Sequence, residues 1–185
     1  MRKYVHHPVF PVVVTLCLLA LPLSVSAQVS DDFSGVELDP ATWSFIDPAG
    51  DCSYSLQNGL FTLHIPADSG HDPRGDNNRA VRLMQNVADA DFEVEAKFES
   101  IPTQIYQVQG LLVETDPTHY LRLEYHRAGP DLKVSCVTVT GGITKIQGEA
   151  NILADGALWL RLSRSGDTWR GFHSQDGQAW TEQFV

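Results

Sequence analysis

At 185 residues, 43% hydrophobic and 19% charged, the chain is long enough for one domain with a real core and too short for several. A formal charge of −10 removes any electrostatic drive toward nucleic acid or anionic lipid, so no nucleic-acid partner is expected.

In chain order, the first 27 residues read as a secretory leader. Arg2 and Lys3 supply the positive start, Val9 to Leu21 the apolar stretch, and Val25-Ser26-Ala27 the small-residue cleavage site. Pro11 and Pro22 interrupt an apolar run already short for a bilayer. Cys17 follows Leu16, which is not small, so lipidation is not expected. The mature domain is therefore 28–185, secreted or at the periplasmic or cell-envelope exterior, with no membrane insertion after cleavage. Cys52 and Cys136 remain, an even number in an exported chain. That parity permits a disulfide, and two buried free thiols would be equally ordinary.

Leu60 to Ile65 reads as a strand, entered through Asn58-Gly59 and ended by Pro66. The run Gly70 to Arg79, GHDPRGDNNR, is the most polar of the chain and reads as a loop. Phe92 to Glu99 alternates without a fault, which predicts a half-buried strand with Phe92, Val94, Ala96 and Phe98 inward. Tyr120 to His126 alternates too, setting Leu121, Leu123 and Tyr125 against Tyr120, Arg122, Glu124 and His126. Leu132 to Thr140, Leu158 to Ser163 and Thr168 to His173 are further strands. Between them, Gly129-Pro130-Asp131, Gly141-Gly142, Asp155-Gly156, Ser165-Gly166-Asp167 and Asp176-Gly177 supply turn chemistry. No helix with a sustained apolar stripe is present. Trp180 to Val185 reads as a strand still in progress, which predicts missing closing strands and further domains in a longer chain. Many short strands with regular turns predict an all-β fold, a two-sheet antiparallel sandwich.

Particular residues add a resemblance. Asp31-Asp32-Phe33-Ser34-Gly35 with Leu38-Asp39 and Trp43 resembles the opening of concanavalin A-like jelly-roll domains. HDPRGDNNRAVRLMQ, ADADFEVEAKFES and YQVQGLLVETD with YLRLEYH resemble the regulation-of-enolase-like domain family, whose exported bacterial members often accompany carbohydrate-active enzymes. The same segments are similar, more distantly, to the concanavalin A-like C-terminal domains of β-xylosidases. The resemblance implies a jelly-roll sandwich with a curved, sugar-facing surface. The Glu-x-Asp-x-x-Glu motif of the superfamily's laminarinase-type glucanases is missing from this chain.

Candidate chemistry concentrates in three places. Glu93 and Glu95 lie two apart on one strand face, roughly 6 to 7 Å apart, a separation at which two carboxylates can cleave a glycosidic bond. The pattern continues through Lys97 and Glu99, as a solvated face would. Tyr120, Arg122, Glu124 and His126 form a mixed aromatic and charged stripe that suits sugar, by ring stacking and hydrogen bonds to hydroxyls. Glu124 is also a candidate acid or base. Gln107 and Gln109 could join that stripe, although Leu111 and Val113 follow in the same phase. His71, Asp72, Asn77, Asn78 and Arg82 could overhang it from the polar loop.

Arg74-Gly75-Asp76 is a chance-prone adhesion tripeptide. His71, Asp72 and Asp76 do not follow a calcium-loop pattern, so no metal is expected. Ser174 to Trp180 departs from the sialidase Asp box and reads as a hairpin turn. No phosphate loop or nucleophile elbow occurs and no cofactor is expected. The resulting expectation is a non-catalytic carbohydrate-binding or accessory module whose partner is a glycan. The alternatives are a glycoside hydrolase or lyase and an envelope protein-interaction domain.

Overall fold

The computed structural model describes residues 28–184 apart from 68, 69, 75, 76 and 155. The leader, the Gly75-Asp76 part of the adhesion tripeptide, Asp155 of one turn, and Val185 therefore lie outside the described residues. Three short antiparallel ribbons come first. β1 (Ser44–Ile46) pairs with β6 (Arg82–Met84), β2 (Ser53–Gln57) with β3 (Leu60–His64), and β4 (Pro73–Arg74) with β5 (Asn77–Asn78).

Two four-stranded antiparallel sheets follow. β7 (Phe92–Phe98) joins β12 (Leu158–Ser165), β13 (Thr168–Ser174) and β14 (Thr181–Phe184) in the order β14-β13-β12-β7. β8 (Val108–Asp116), β9 (His119–Ala128), β10 (Asp131–Thr140) and β11 (Ile143–Ile152) form the second, in the order β11-β10-β9-β8. The described elements are all strands, and the two sheets pack face to face as a sandwich.

Alternation sets the phase of each strand, because a one-residue slip would exchange its two faces. On β7 the apolar residues are half-buried while Glu93, Glu95 and Lys97 are exposed, as the sequence pattern requires. Leu123, Tyr125, Leu132, Val134 and Cys136 of one sheet meet Leu158, Leu160 and Leu162 of the other, and all are buried. Each such aliphatic side chain contributes about 1.5 to 3 kcal/mol on burial. Tyr125 carries its hydroxyl into this core and donates to the Trp159 carbonyl at 2.7 Å, so the ring is buried without an orphaned oxygen. Phe98 meets the Tyr125 ring edge-on at 6.2 Å. Asn58 and Gly59, at φ 56° and 72°, close the β2–β3 hairpin in the left-handed region that Asn and Gly tolerate best.

Two points the sequence left open are resolved here. Cys52 and Cys136 are both free: Cys136 is sealed in the core, whereas Cys52 lies in the loop before β2. Gln109 pairs opposite Tyr125, on the core face of β8 with Leu111 and Val113, and its side chain bonds to Ser100. It does not join Tyr120. Gln107 precedes β8 and accepts from the Thr103 and Gln104 amides at 2.9 and 3.0 Å, which holds a turn together.

Candidate binding face

β9 is an interior strand of its sheet, hydrogen-bonded to β8 and β10 on its two edges. Leu123 and Tyr125 fill the core, which directs Tyr120, Arg122, Glu124 and His126 to the opposite face. Glu114 lies beside Tyr120 across the β8 pairing, and Ser135 beside Glu124 across the β10 pairing. Gly110 is the β8 partner of Glu124. A Cβ on Gly110 would stand 2.2 Å from the Leu123 carbonyl oxygen and 2.6 Å from the Glu124 Cα, so only glycine permits this approach.

This face is not open to water. Tyr120 is 5% exposed, and the side chains of Arg122 and Glu124 are 13% and 8% exposed around a 3.1 Å ion pair. The ring of Tyr120 is therefore no flat platform for stacking, which corrects the sequence-based expectation. Arg82 and Asp72, from earlier in the chain, reach this face. Arg82 grips Glu114 with both guanidinium contacts, at 2.8 and 3.2 Å, and Asp72 lies close enough to act electrostatically on both Tyr120 and Glu124. Asn78 is buried, its side-chain oxygen accepting from the Ala80 amide in an Asx turn.

Electrostatics follow from the burial. Desolvation pushes the Glu124 carboxyl up, and the adjacent Arg122 only partly opposes it, while Asp72 adds to the rise. Burial likewise raises the Tyr120 hydroxyl and lowers the His126 imidazole, the latter against an opposing pull from Glu149. His126 Nδ1 and the Ser135 hydroxyl are 3.0 Å apart. Among the described residues five buried side-chain atoms have no hydrogen-bond partner: Asn78 Nδ2, Arg82 Nε, Tyr120 Oη, Arg122 Nε and His173 Nδ1. Each such atom costs about 1 to 3 kcal/mol if left so.

The other expected residues lie elsewhere. His71 turns away from the face and sets its Nε2 2.6 Å from Asp51 Oδ1. Asn77 contributes its backbone to the pairing with Arg74. Glu93 and Glu95 lie on the outer face of β7, beside Arg161 at 3.6 and 2.7 Å, and Arg161 stacks on Trp180 at 3.9 Å. That arrangement is a solvated ion-pair ledge.

Sequence reasoning passed over Glu114 and Ser135, which only strand register reveals. It also passed over a second cluster: Asp47, Asp51, Cys52 and His71 place their donor atoms within 4.8 Å of one another. Burial and the flanking Asp51 and Asp47 carboxylates push the Cys52 thiol up to about 11. The close spacing of Asp47, Asp51 and Cys52 was the available signal, and its partner His71 lies in a different loop.

Comparison with known proteins adds the following. The family model described as the β-xylosidase C-terminal concanavalin A-like domain matches residues 30–184, and that domain of such enzymes is non-catalytic. A similar fold occurs in the GH43 BlXynB protein from Bacillus licheniformis, with TM-score 0.70 and 21% identity over 83% of this chain and 29% of that one. It occurs in the xylan β-1,4-xylosidase from Bacillus halodurans C-125, with TM-score 0.56 and 21% identity over 90% of this chain and 32% of that one. A functionally unknown protein from Saccharomyces cerevisiae matches with TM-score 0.52 and 18% identity over 78% of this chain and 79% of that one. The chain thus spans less than a third of the two bacterial proteins. No curated protein sequence matches it significantly.

Proposed function

We propose a function from one premise: the chain belongs to the family of β-xylosidase C-terminal concanavalin A-like domains. The protein is an exported, non-catalytic accessory domain that binds a glycan at the Tyr120–Arg122–Glu124 face. One observation supports the placement: Tyr120 Oη and Arg122 Nε on this strand face, and Asn78 Nδ2 of β5, are buried polar atoms without a hydrogen-bond partner. Sugar hydroxyls donate and accept in the directions such atoms need. Carboxylates on this face are engaged by guanidinium groups, Glu124 by Arg122 and Glu114 by Arg82, which suits binding better than paired acid–base chemistry.

The xylan-directed relative makes xylo-oligosaccharides the first probe. Calorimetric titration of the full chain should detect binding, and Asn78→Ala should weaken it by about 1 to 3 kcal/mol. Reducing-end release should stay at background. Unchanged affinity in Asn78→Ala removes this face from consideration. Release abolished by Glu124→Gln would establish hydrolysis in place of binding.

A further inference from the structure

We propose that Asp47, Asp51, Cys52 and His71 form a site for one zinc-class divalent metal ion. The four residues come from two separate loops, and each offers one donor atom within 4.8 Å of the rest. A sulfur, an imidazole nitrogen and two carboxylate oxygens make a mixed set. Calcium and magnesium take oxygen donors, whereas zinc accepts all three kinds in a four-coordinate tetrahedron.

The geometry is near what zinc needs. Bonds of about 2.0 to 2.3 Å put tetrahedral ligand atoms roughly 3.3 to 3.8 Å apart. His71 Nε2 and Asp51 Oδ1 are 2.6 Å apart and Cys52 Sγ and Asp51 Oδ1 3.5 Å, so adjustments of about 1 Å close the shell. The His71 side chain is 5% exposed, already withdrawn from water.

The Asp47 carboxylate is held by its own loop. Oδ1 accepts from the Ala49 and Gly50 amides at 3.2 and 3.0 Å, and Oδ2 from the Cys52 amide at 2.7 Å. Outer hydrogen bonds of this kind fix a ligand's orientation before the ion arrives. Asp51 also lines an open depression of about 440 Å³ with Ser53, Leu63, His64, Ile65 and Pro66, which provides a path inward. Binding replaces the Cys52 Sγ–H bond with a sulfur–metal bond, and the proton passes to solvent. His71 binds as the neutral ring through Nε2. Because Asp72 follows His71, the ion would anchor the chain next to the residue that acts electrostatically on Tyr120 and Glu124. The site itself does not rest on the glycan reading.

Cobalt titration of the full chain tests this, since Co²⁺ takes zinc sites and a Co–thiolate bond gives a near-ultraviolet charge-transfer band. One equivalent should saturate the band, and zinc should displace it. Cys52→Ser and His71→Ala, each retaining the far-ultraviolet signature of the folded chain, should lose the saturable band, while His64→Ala should keep it. Zinc should also raise the thermal midpoint of the wild type and of His64→Ala but of neither ligand variant. Absence of a band in the wild type, or a band that survives Cys52→Ser, would overturn the proposal. So would loss of the band in His64→Ala with retention in His71→Ala.

Discussion

β7 and β9 carry the same kind of sequence, apolar and charged residues in strict alternation, yet their polar faces meet opposite fates. β7 is an edge strand, and its Glu93, Glu95 and Lys97 stand in water with Arg161 bridging the two glutamates. β9 is an interior strand, and its Tyr120, Arg122 and Glu124 are buried, with Asp72 near Tyr120 and Glu124. Alternation therefore fixes which residues point together. Whether the polar set is wet is decided by what lies over that face of the sheet. The same carboxylate is a cheap surface charge on one strand and a costly buried one on the other.

The widest separation should appear in denaturant unfolding of matched variants. Glu124→Ala leaves Arg122 buried without its partner and should cost about 3 to 5 kcal/mol. Phe98→Ala removes a half-buried ring packed on Tyr125 and should cost about 2 to 4 kcal/mol, from the core side of β7. Gly110→Ala pushes a methyl into the Leu123 carbonyl and the Glu124 backbone, and should cost about 1 to 3 kcal/mol. Glu95→Ala, on the solvated ledge, should cost less than about 1 kcal/mol. Glu124→Ala and Glu95→Ala of equal cost would erase the distinction between the strands.

The smallest effect concerns pH. Burial holds His126 and His173 below the usual imidazole value of 6.5 in the folded chain. Between that lower value and 6.5 the unfolded chain binds more protons, so this stability is present above 6.5 and lost as pH falls through the folded value. Replacing His173 with Asn should flatten the stability profile on the acid side of 6.5. An identical slope in the variant would show that His173 does not contribute.

Much of the fold was legible because its determinants are local. Turn residues such as Asn58-Gly59 and Gly141-Gly142 and the alternation of Phe92 to Phe98 predict strands and their phase without reference to anything distant. β11 escaped notice because it is a sheet edge, with Ile143 and Ile146 exposed and no inward apolar rhythm until Ala150 and Ile152. The phase of β8 stayed open in the sequence because Gln109 shares the apolar side with Leu111 and Val113. Only its register against Tyr125 resolves it. The Arg82–Glu114 pair joins positions 32 apart in sequence, and the Asp47–His71 cluster depends on two loops meeting. Contacts between distant segments leave no periodic trace.

The most direct test of the account is a backbone amide map of the full chain titrated with xylo-oligosaccharide. The predicted result is saturable shifts centred on Asn78, Tyr120, Arg122 and Glu124, with Glu93 and Glu95 unmoved. Shifts centred instead on Glu95, Arg161 and Trp180, or no shifts at all at saturating ligand, would contradict it.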